Sequence, residues 1–238
     1  MSVRSSLAFS MLLALALTAP VPANAAKASK HPKSWTWTFQ ADTLGHAPAS
    51  AVTFGGTWQI VADSSLAASD TALAAADTSG ASDSATVMPR VLRQSEGDDG
   101  IQFHYIQFTK PVVGNMAVSV RFRILEGEID PSAGVMFLLN PKGKSGYLVR
   151  VSGARDELIA HYLLSGKRRD LRYAKIARPE PGTWHTLDVE RVGSVIIARY
   201  DGEERIRIRD ERFTFGSVGL WTEDDTVVDF AGLSLSMR

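Results

Sequence analysis

The feature that most constrains this fold is a series of short segments in which apolar and polar residues alternate. The clearest runs from Met116 to Leu125, where every second residue is methionine, valine, phenylalanine or isoleucine. Successive side chains of a β-strand point to opposite faces, so this pattern predicts a strand with one buried face. Similar segments recur from Ser34 to Leu235, separated by turn residues such as Asp201-Gly202. Many short strands joined by turns predict an all-β sandwich or barrel.

The first residues predict an export signal. Arg4 precedes an apolar run from Leu7 to Leu17, and Ala23-Asn24-Ala25 matches a signal peptidase cleavage site. The run is too short to cross a bilayer, which takes roughly 18–20 apolar residues. We therefore expect a signal peptide over residues 1–25, a flexible tail over 26–33, and export to the periplasm or the cell exterior. The chain has no cysteine, so its core must supply its stability without disulfides.

The remaining chain, residues 34–238, has the length of a single all-β domain. It is interrupted at about residues 62–86 by a low-complexity segment rich in alanine and serine, which we interpret as a surface insertion. A short alanine-rich helix from Leu66 to Ala76 is the alternative. Lysine plus arginine equals aspartate plus glutamate at 26 each, so the basic excess typical of a nucleic-acid-binding protein is absent. Oligomeric state is left open.

An ordered series of segments, most of them in the second half of the chain, carries a resemblance to a known superfamily, and four of the segments illustrate it. They are Ala133 to Phe137, Gly146 to Arg150, Gly182 to Val189 and Phe215 to Thr222. In this order they resemble the concanavalin A-like lectin and glucanase superfamily, in its bacterial secreted, laminin-G-like branch. The resemblance implies a jelly-roll, a two-sheet antiparallel β-sandwich with one convex and one concave face. It also implies carbohydrate handling on the concave face, although a fold alone does not define a function.

A glucanase activity would need paired carboxylates, which laminarinase-type members carry as E-x-D-x-x-E on one strand. The nearest string begins Glu128-Ile-Asp130, but Pro131 interrupts it and Ala133 replaces the last carboxylate. We interpret it as a solvated acidic turn. Serine, cysteine and zinc chemistries lack their motifs as well. We therefore expect no catalytic residues, while a glycoside-processing enzyme of the 3-keto-disaccharide hydrolase or glucanase-like type stays open as an alternative.

The resemblance also implies a structural calcium ion in many members. The positions that usually hold acidic residues are occupied by Gln40 and Ala231, which disfavours calcium, so we expect no metal or cofactor. The acidic runs Glu96 to Asp99 and Glu223 to Asp225 are interpreted as solvated turns. The basic run Lys167 to Arg169 is interpreted as a solvated hairpin tip.

Binding is better supplied with candidate residues than catalysis. Sugar recognition combines aromatic platforms with planar polar side chains, and arginine forks suit charged glycans. The candidate ligand-binding residues are Arg121, Arg123, Tyr147, Arg150, His161, Asp188, Glu190 and Trp221. Alternatively, the arginines and acidic residues are solvated or paired with one another, and Trp221 packs in the core.

The leading hypothesis is an exported, non-catalytic domain that binds an oligosaccharide, polysaccharide or other glycoconjugate through the concave sheet face. An envelope structural or protein-interaction domain is a further alternative, and it predicts a flat apolar patch instead of a groove.

Overall fold

A computed structural model describes residues 33–66, 88–97 and 102–238. The expected signal peptide, the expected tail up to Pro32 and residues 67–86 of the insertion lie outside these ranges. Within them, no helix is long and apolar enough to cross a membrane.

The described residues form strands joined by turns. The strands are β1 (Ser34–Trp37), β2 (Ala51–Phe54), β3 (Trp58–Ala62), β4 (Arg90–Gln94), β5 (Phe103–Val113), β6 (Met116–Glu126), β7 (Ser132–Leu139), β8 (Gly146–Ser152), β9 (Glu157–Leu164), β10 (Lys167–Lys175), β11 (His185–Val192), β12 (Val195–Tyr200), β13 (Glu203–Arg209), β14 (Gly216–Glu223) and β15 (Val227–Met237).

The strands make two antiparallel sheets that pack face to face. The back sheet has the order β13-β12-β11-β6-β15-β4-β3, with β1 also paired to β15. The front sheet has the order β10-β9-β8-β7-β14-β5-β2. Neighbours that are distant in sequence, such as β6 beside β15, show the crossovers of a jelly-roll. The predicted two-sheet antiparallel β-sandwich is confirmed.

Strand β6 shows how the sequence pattern forms the back sheet. Val118, Val120 and Phe122 are buried in the core between the sheets, while the residues between them face outward. Val120 pairs with Leu187 of β11, and Phe122 pairs with Phe230 of β15. Apolar burial of this kind contributes roughly 25 cal/mol per Å² removed from water, which makes the shared core the main stabilising element.

The front sheet differs because its central strands are buried on both faces. Every residue of β7, β8 and β14 is buried. Besides the main core, a second apolar cluster of Met136, Leu139, Leu148, Leu163 and Trp221 lies on the outer side of this sheet. The run from Ala133 to Leu139 is therefore almost continuously small or apolar instead of alternating, as expected for a strand without a solvated face.

The front sheet is strongly curved toward its outer side. Arg168 on the edge strand β10 forms a 2.6 Å ion pair with Glu223 on β14, four strands away. Strands lie 4.7–4.9 Å apart, so in a flat sheet the two backbones would be about 19 Å apart and their side chains would point in parallel. The ion pair can form only if the sheet curls. The outer side of the front sheet is therefore concave, and it is called the concave face below.

Candidate functional site

An aromatic row runs across the concave face from its edge to its centre. The strand register places Phe54, Tyr105, Trp221, Gly134 and Arg150 side by side on β2, β5, β14, β7 and β8. The rings of Phe54 and Tyr105 stack, with centroids 4.7 Å apart and planes inclined by 9°. Both are half-buried, so each keeps part of its ring accessible. Phe54 and Tyr105 therefore offer flat apolar surface of the kind that sugar rings stack on, whereas the Trp221 ring is fully buried.

Gly134 brings the aromatic row into contact with a charged cluster. A Cβ atom at this position would lie 2.9 Å from Cβ of Arg150 and 2.9 Å from Cδ1 of Leu148, which is too close for any side chain. Without one, the Arg150 guanidinium reaches over the Trp221 ring, 5.5 Å from its centroid. A cation over an indole face is favourable, particularly where water is excluded.

The charged cluster is centred on Arg150. Its Nη1 donates to Asp130 Oδ2 and Ser132 Oγ, each at 2.8 Å, and makes a 2.8 Å ion pair with Glu223 Oε1. Arg168 holds the other oxygen of Glu223 and lies 4.8 Å over the ring of Phe103. A buried arginine is tolerated when it is paired and hydrogen-bonded in this way.

The pKa values of the Glu223 and Asp130 carboxyls are displaced in opposite directions, although burial acts to raise both. Burial raises the pKa of Glu223 to about 7, although Arg150 and Arg168 oppose it. Burial also acts to raise the pKa of Asp130, but Arg150 and hydrogen bonds from Ser152 and Ala154 outweigh it and hold that pKa below its usual value. Glu223 is therefore the member of the cluster whose charge changes near neutral pH.

His161 holds Arg150 in place as a neutral imidazole. Burial and the charges of Arg168 and Arg150 lower its pKa to about 3. Its Nε2 lies 3.4 Å from Nε of Arg150, and its Nδ1 lies 2.9 Å from Asp170 Oδ1. A neutral ring satisfies both contacts if Nδ1 carries the proton, donating to Asp170 and accepting from Arg150.

The structure brings together three of the eight predicted site residues. Arg150, His161 and Trp221 lie on the concave side of the front sheet, and all three are buried. Trp221 is fully buried in the second apolar cluster, with Arg150 and Arg168 over its ring, so it packs as the alternative interpretation predicted and is not available for stacking. Tyr147 does not lie on this side, because its ring faces the core, where it stacks on Phe137 and its hydroxyl donates to Asp210. As a hydrogen-bonded core residue, Tyr147 is not available for binding on the surface.

The other four predicted residues lie on the opposite side of the molecule. Arg121 and Arg123 belong to β6, and Asp188 and Glu190 belong to β11; both strands are in the back sheet, and these side chains face outward. Arg121 and Arg123 therefore do not lie with Arg150 on the concave face, where the leading hypothesis placed ligand binding. Alternation along a strand fixes which residues share a side of it, but it does not assign the strand to a sheet.

Three of these outward residues contact neighbouring side chains. Arg121 lies over the ring of Trp184, 5.3 Å from its centroid. Arg123 makes ion pairs with Asp63 at 2.9 Å and Asp229 at 2.6 Å. Glu190 pairs with Arg199 and with Arg238, as the alternative interpretation of paired charges predicted. Asp188 lines a shallow cleft together with Glu190 and Arg199.

Several residues of the concave face were given other roles or none by the sequence. Glu223 and Asp130 were interpreted as parts of solvated turns, and Arg168 as part of a solvated hairpin tip. These three interpretations are wrong. Glu223 is buried, and Asp130 forms an ion pair with Arg150. Arg168 lies within β10, and its side chain reaches across the sheet to Glu223. Phe54 and Tyr105 were not singled out. The period-two spacing of Trp221 and Glu223 on one strand was the available signal, because it places both on one face.

The arrangement suits binding better than proton transfer. Asp130 Oδ1 accepts from Ser152 Oγ and the Ala154 N–H, and its Oδ2 accepts from Arg150. Both oxygens of Glu223 are held by arginines. An acid or base would have to give up one of these contacts before it could reach a substrate. In the described ranges, no three histidine, aspartate or glutamate side chains are grouped as metal ligands.

Comparison with known proteins supports the fold. No family model matches the chain, and no curated protein matches it. Among solved structures, the carbohydrate-binding module CBM66 from Bacillus subtilis is 17% identical, with 76% of this chain and 91% of that chain covered and a TM-score of 0.56. The Ca²⁺-bound exoplasmic/lumenal domain of VIP36 is 10% identical, with coverages of 88% and 93% and a TM-score of 0.57.

The same VIP36 domain in its Ca²⁺/Man2-bound form is 12% identical, with coverages of 88% and 90% and a TM-score of 0.56. Identities this low show a shared fold and nothing finer. The chain has the concanavalin A-like jelly-roll fold, so the expectation drawn from the sequence resemblance is confirmed at the level of the fold.

Proposed function

We propose that this protein is an exported domain that binds carbohydrate on the concave face of its front sheet. The observation that carries the proposal is the partly exposed, stacked pair of Phe54 and Tyr105, which the strand register connects through the buried Trp221 to the polar cluster around Arg150. Binding sites for small molecules and sugars combine apolar lining with a few convergent polar groups, and a curved sheet provides the concavity.

Two further observations support carbohydrate as the ligand class. One structural neighbour is named a carbohydrate-binding module, and another is described with Man2 bound. Export to the periplasm or the cell exterior is also part of the proposal, and it rests on the apolar run and cleavage sequence within residues 1–25. Glycans are abundant in both compartments.

A glycan array followed by isothermal titration calorimetry tests the proposal. We expect Tyr105→Ala to weaken binding by about tenfold, because the loss of a stacking ring is worth roughly 1 kcal/mol or more. Tyr105→Phe keeps the ring and should bind nearly as the wild type does. Arg199→Gln, on the outer side of the back sheet, should leave binding unchanged. If no glycan binds the folded wild-type protein, the proposal is refuted.

A glycoside-processing activity is the second candidate. It is favoured by the opposite displacement of the pKa values of Glu223 and Asp130, a pattern found in acid–base pairs of enzymes. Asp130 Oδ2 and Glu223 Oε1 each lie 2.8 Å from Nη1 of Arg150. These two carboxylate oxygens are therefore separated by at most twice that distance. Release of reducing ends from oligosaccharides by the wild type, lost in Glu223→Gln, would support it. Glycan binding without release of reducing ends would exclude this activity on the glycans tested and support binding as the only role of the site.

A further inference from the structure

Two arginines converge on one buried carboxylate in the middle of the concave face. Arg150 and Arg168 come from β8 and β10 and hold different oxygens of Glu223, at 2.8 and 2.6 Å. Two guanidinium groups on one carboxylate form the kind of site that recognises a carboxylate ligand. In this structure the carboxylate is supplied by the protein itself.

The two arginines are not equally accessible. The Arg150 side chain is 3% exposed and also contacts Asp130, whereas the Arg168 side chain is 22% exposed. Arg168 lies across the rings of Phe103 and Trp221, at 4.8 and 5.4 Å. A ligand that stacks on the aromatic row therefore meets the Arg168 guanidinium first, while Arg150 stays fixed beneath it.

We propose that the carbohydrate bound on the concave face is acidic, a glycan containing a hexuronate, and that its carboxylate takes the Arg168 contact that Glu223 now fills. This inference rests on the proposed carbohydrate-binding function. The ligand carboxylate replaces one charge-assisted contact with an equivalent one. Glu223 remains paired with the buried Arg150 guanidinium through its other carboxylate oxygen.

The environment of Glu223 makes this exchange easier. Besides Arg150 and Arg168, the charged group that acts on Glu223 is Asp130, in the loop before β7. His161 on β9 contacts Arg150, and Asp170 on β10 contacts His161. Burial raises the pKa of Glu223 to about 7, so near neutral pH it can release Arg168 by taking a proton. His161, with its pKa lowered to about 3, adds no positive charge that would compete for the ligand.

The arginine cluster on the back sheet is a useful contrast. Arg123 also joins two carboxylates, Asp63 and Asp229. There the contacts from Ser65 and Arg123 outweigh burial and hold the pKa of Asp63 below its usual value. Asp63 therefore stays ionised at neutral pH. Because Arg123 stays paired with carboxylates of the protein, an external carboxylate is not expected to bind there.

Calorimetry with a matched pair of ligands tests the inference. The probes are trimeric to hexameric oligomers of galacturonate, glucuronate and mannuronate, each compared with its fully methyl-esterified form at about 150 mM salt. Esterification keeps the sugar rings and removes the charge. We expect the wild type to bind at least one acidic oligomer about tenfold more tightly than its ester, as one charge-assisted contact would give.

The variants separate the roles of the two side chains. Glu223→Gln should bind the acidic oligomer several-fold more tightly, because the internal competitor is gone. Arg168→Gln should bind the acid and the ester equally, whereas Arg199→Gln on the back sheet should keep the wild-type preference. Thermal unfolding confirms that each variant is folded. If Arg168→Gln does not fold, Arg168→Met replaces it, because it also removes the charge and keeps an apolar side chain against the rings of Phe103 and Trp221.

The outcomes distinguish this inference from the function on which it rests. Equal affinity of the wild type for acid and ester, or binding of neutral glycans only, overturns the acidic-ligand inference and leaves carbohydrate binding standing. Weaker acid binding by a folded Glu223→Gln variant overturns the role of Glu223 as internal competitor. If no glycan binds at all, the proposed function fails.

Discussion

Replacing Glu223 with glutamine should change how the stability of this domain depends on pH. The pKa of Glu223 is raised from 4.5 to about 7 in the folded protein, because its carboxyl is buried. Between these two values the folded state holds a proton that the unfolded state has released. Stability falls with rising pH wherever the folded state binds more protons, so this group favours folding fully below pH 4.5 and loses that contribution by about pH 7.

The size of the effect follows from the shift. One pKa unit corresponds to 1.36 kcal/mol, so Glu223 contributes a decrease of about 3 kcal/mol in the free energy of unfolding across this range. His161 acts in the opposite sense. Its pKa is lowered from 6.5 to about 3, so the folded state binds fewer protons and stability rises with pH between those values. From pH 4.5 to 6.5 the two contributions oppose each other and largely cancel in the wild type.

Glutamine at position 223 removes one of the two opposing contributions. We expect the variant to become more stable as the pH rises from 4.5 to 6.5, while the wild type changes little. Urea unfolding followed by fluorescence of the five tryptophans, at intervals of half a pH unit, measures this. Glu190→Gln, at a partly exposed ion pair on the back sheet, should change stability by less than about 1 kcal/mol. A difference between wild type and Glu223→Gln that does not vary with pH would refute the assignment.

Three further substitutions test the packing and charge arguments. Gly134→Ala should destabilise the fold by about 1–3 kcal/mol, since its Cβ would lie 2.9 Å from Arg150 and Leu148; a melting temperature equal to the wild type would contradict this. Phe122→Ala should lose about 3–5 kcal/mol in urea unfolding, because the ring is fully buried between the sheets, and a loss below 1 kcal/mol would show that it is not. Asp229→Ala should cost about 3–5 kcal/mol, because the fully buried Asp229 carboxylate pairs with both Arg93 and Arg123; near-neutral behaviour in the same assay would mean that these pairs contribute no net stability.

The sequence predicts some elements of this fold much better than others. In β6 one face is core and the other is not, so strict alternation of apolar residues revealed the strand and its buried side. In β7 both faces are buried, so the run from Ala133 to Leu139 carries no periodicity that distinguishes them. The pairing of β6 with β15 joins segments about a hundred residues apart, and no local pattern encodes it.

The site was only partly predictable, because its residues come from strands that are distant in sequence. Arg150 and Trp221 were identified because arginine and tryptophan on alternating strands suggest binding. Arg168 was assigned to a solvated tip, since its partner Glu223 lies 55 residues away and becomes a neighbour only when the sheet curls. A buried carboxylate inside the acidic run Glu223 to Asp225 cannot be distinguished from a solvated one until the packing above it is known.

The contact between Arg168 and Glu223 also constrains the shape of the front sheet. It ties the outermost strand of the front sheet to a central one, and so it fixes how far the sheet is rolled. A ligand that takes Arg168 away from Glu223 would change the curvature of the concave face. It would also loosen the β9–β10 hairpin at the edge of the front sheet. Deuterium uptake by the amides of β10 should therefore report occupancy of a site whose centre lies four strands away.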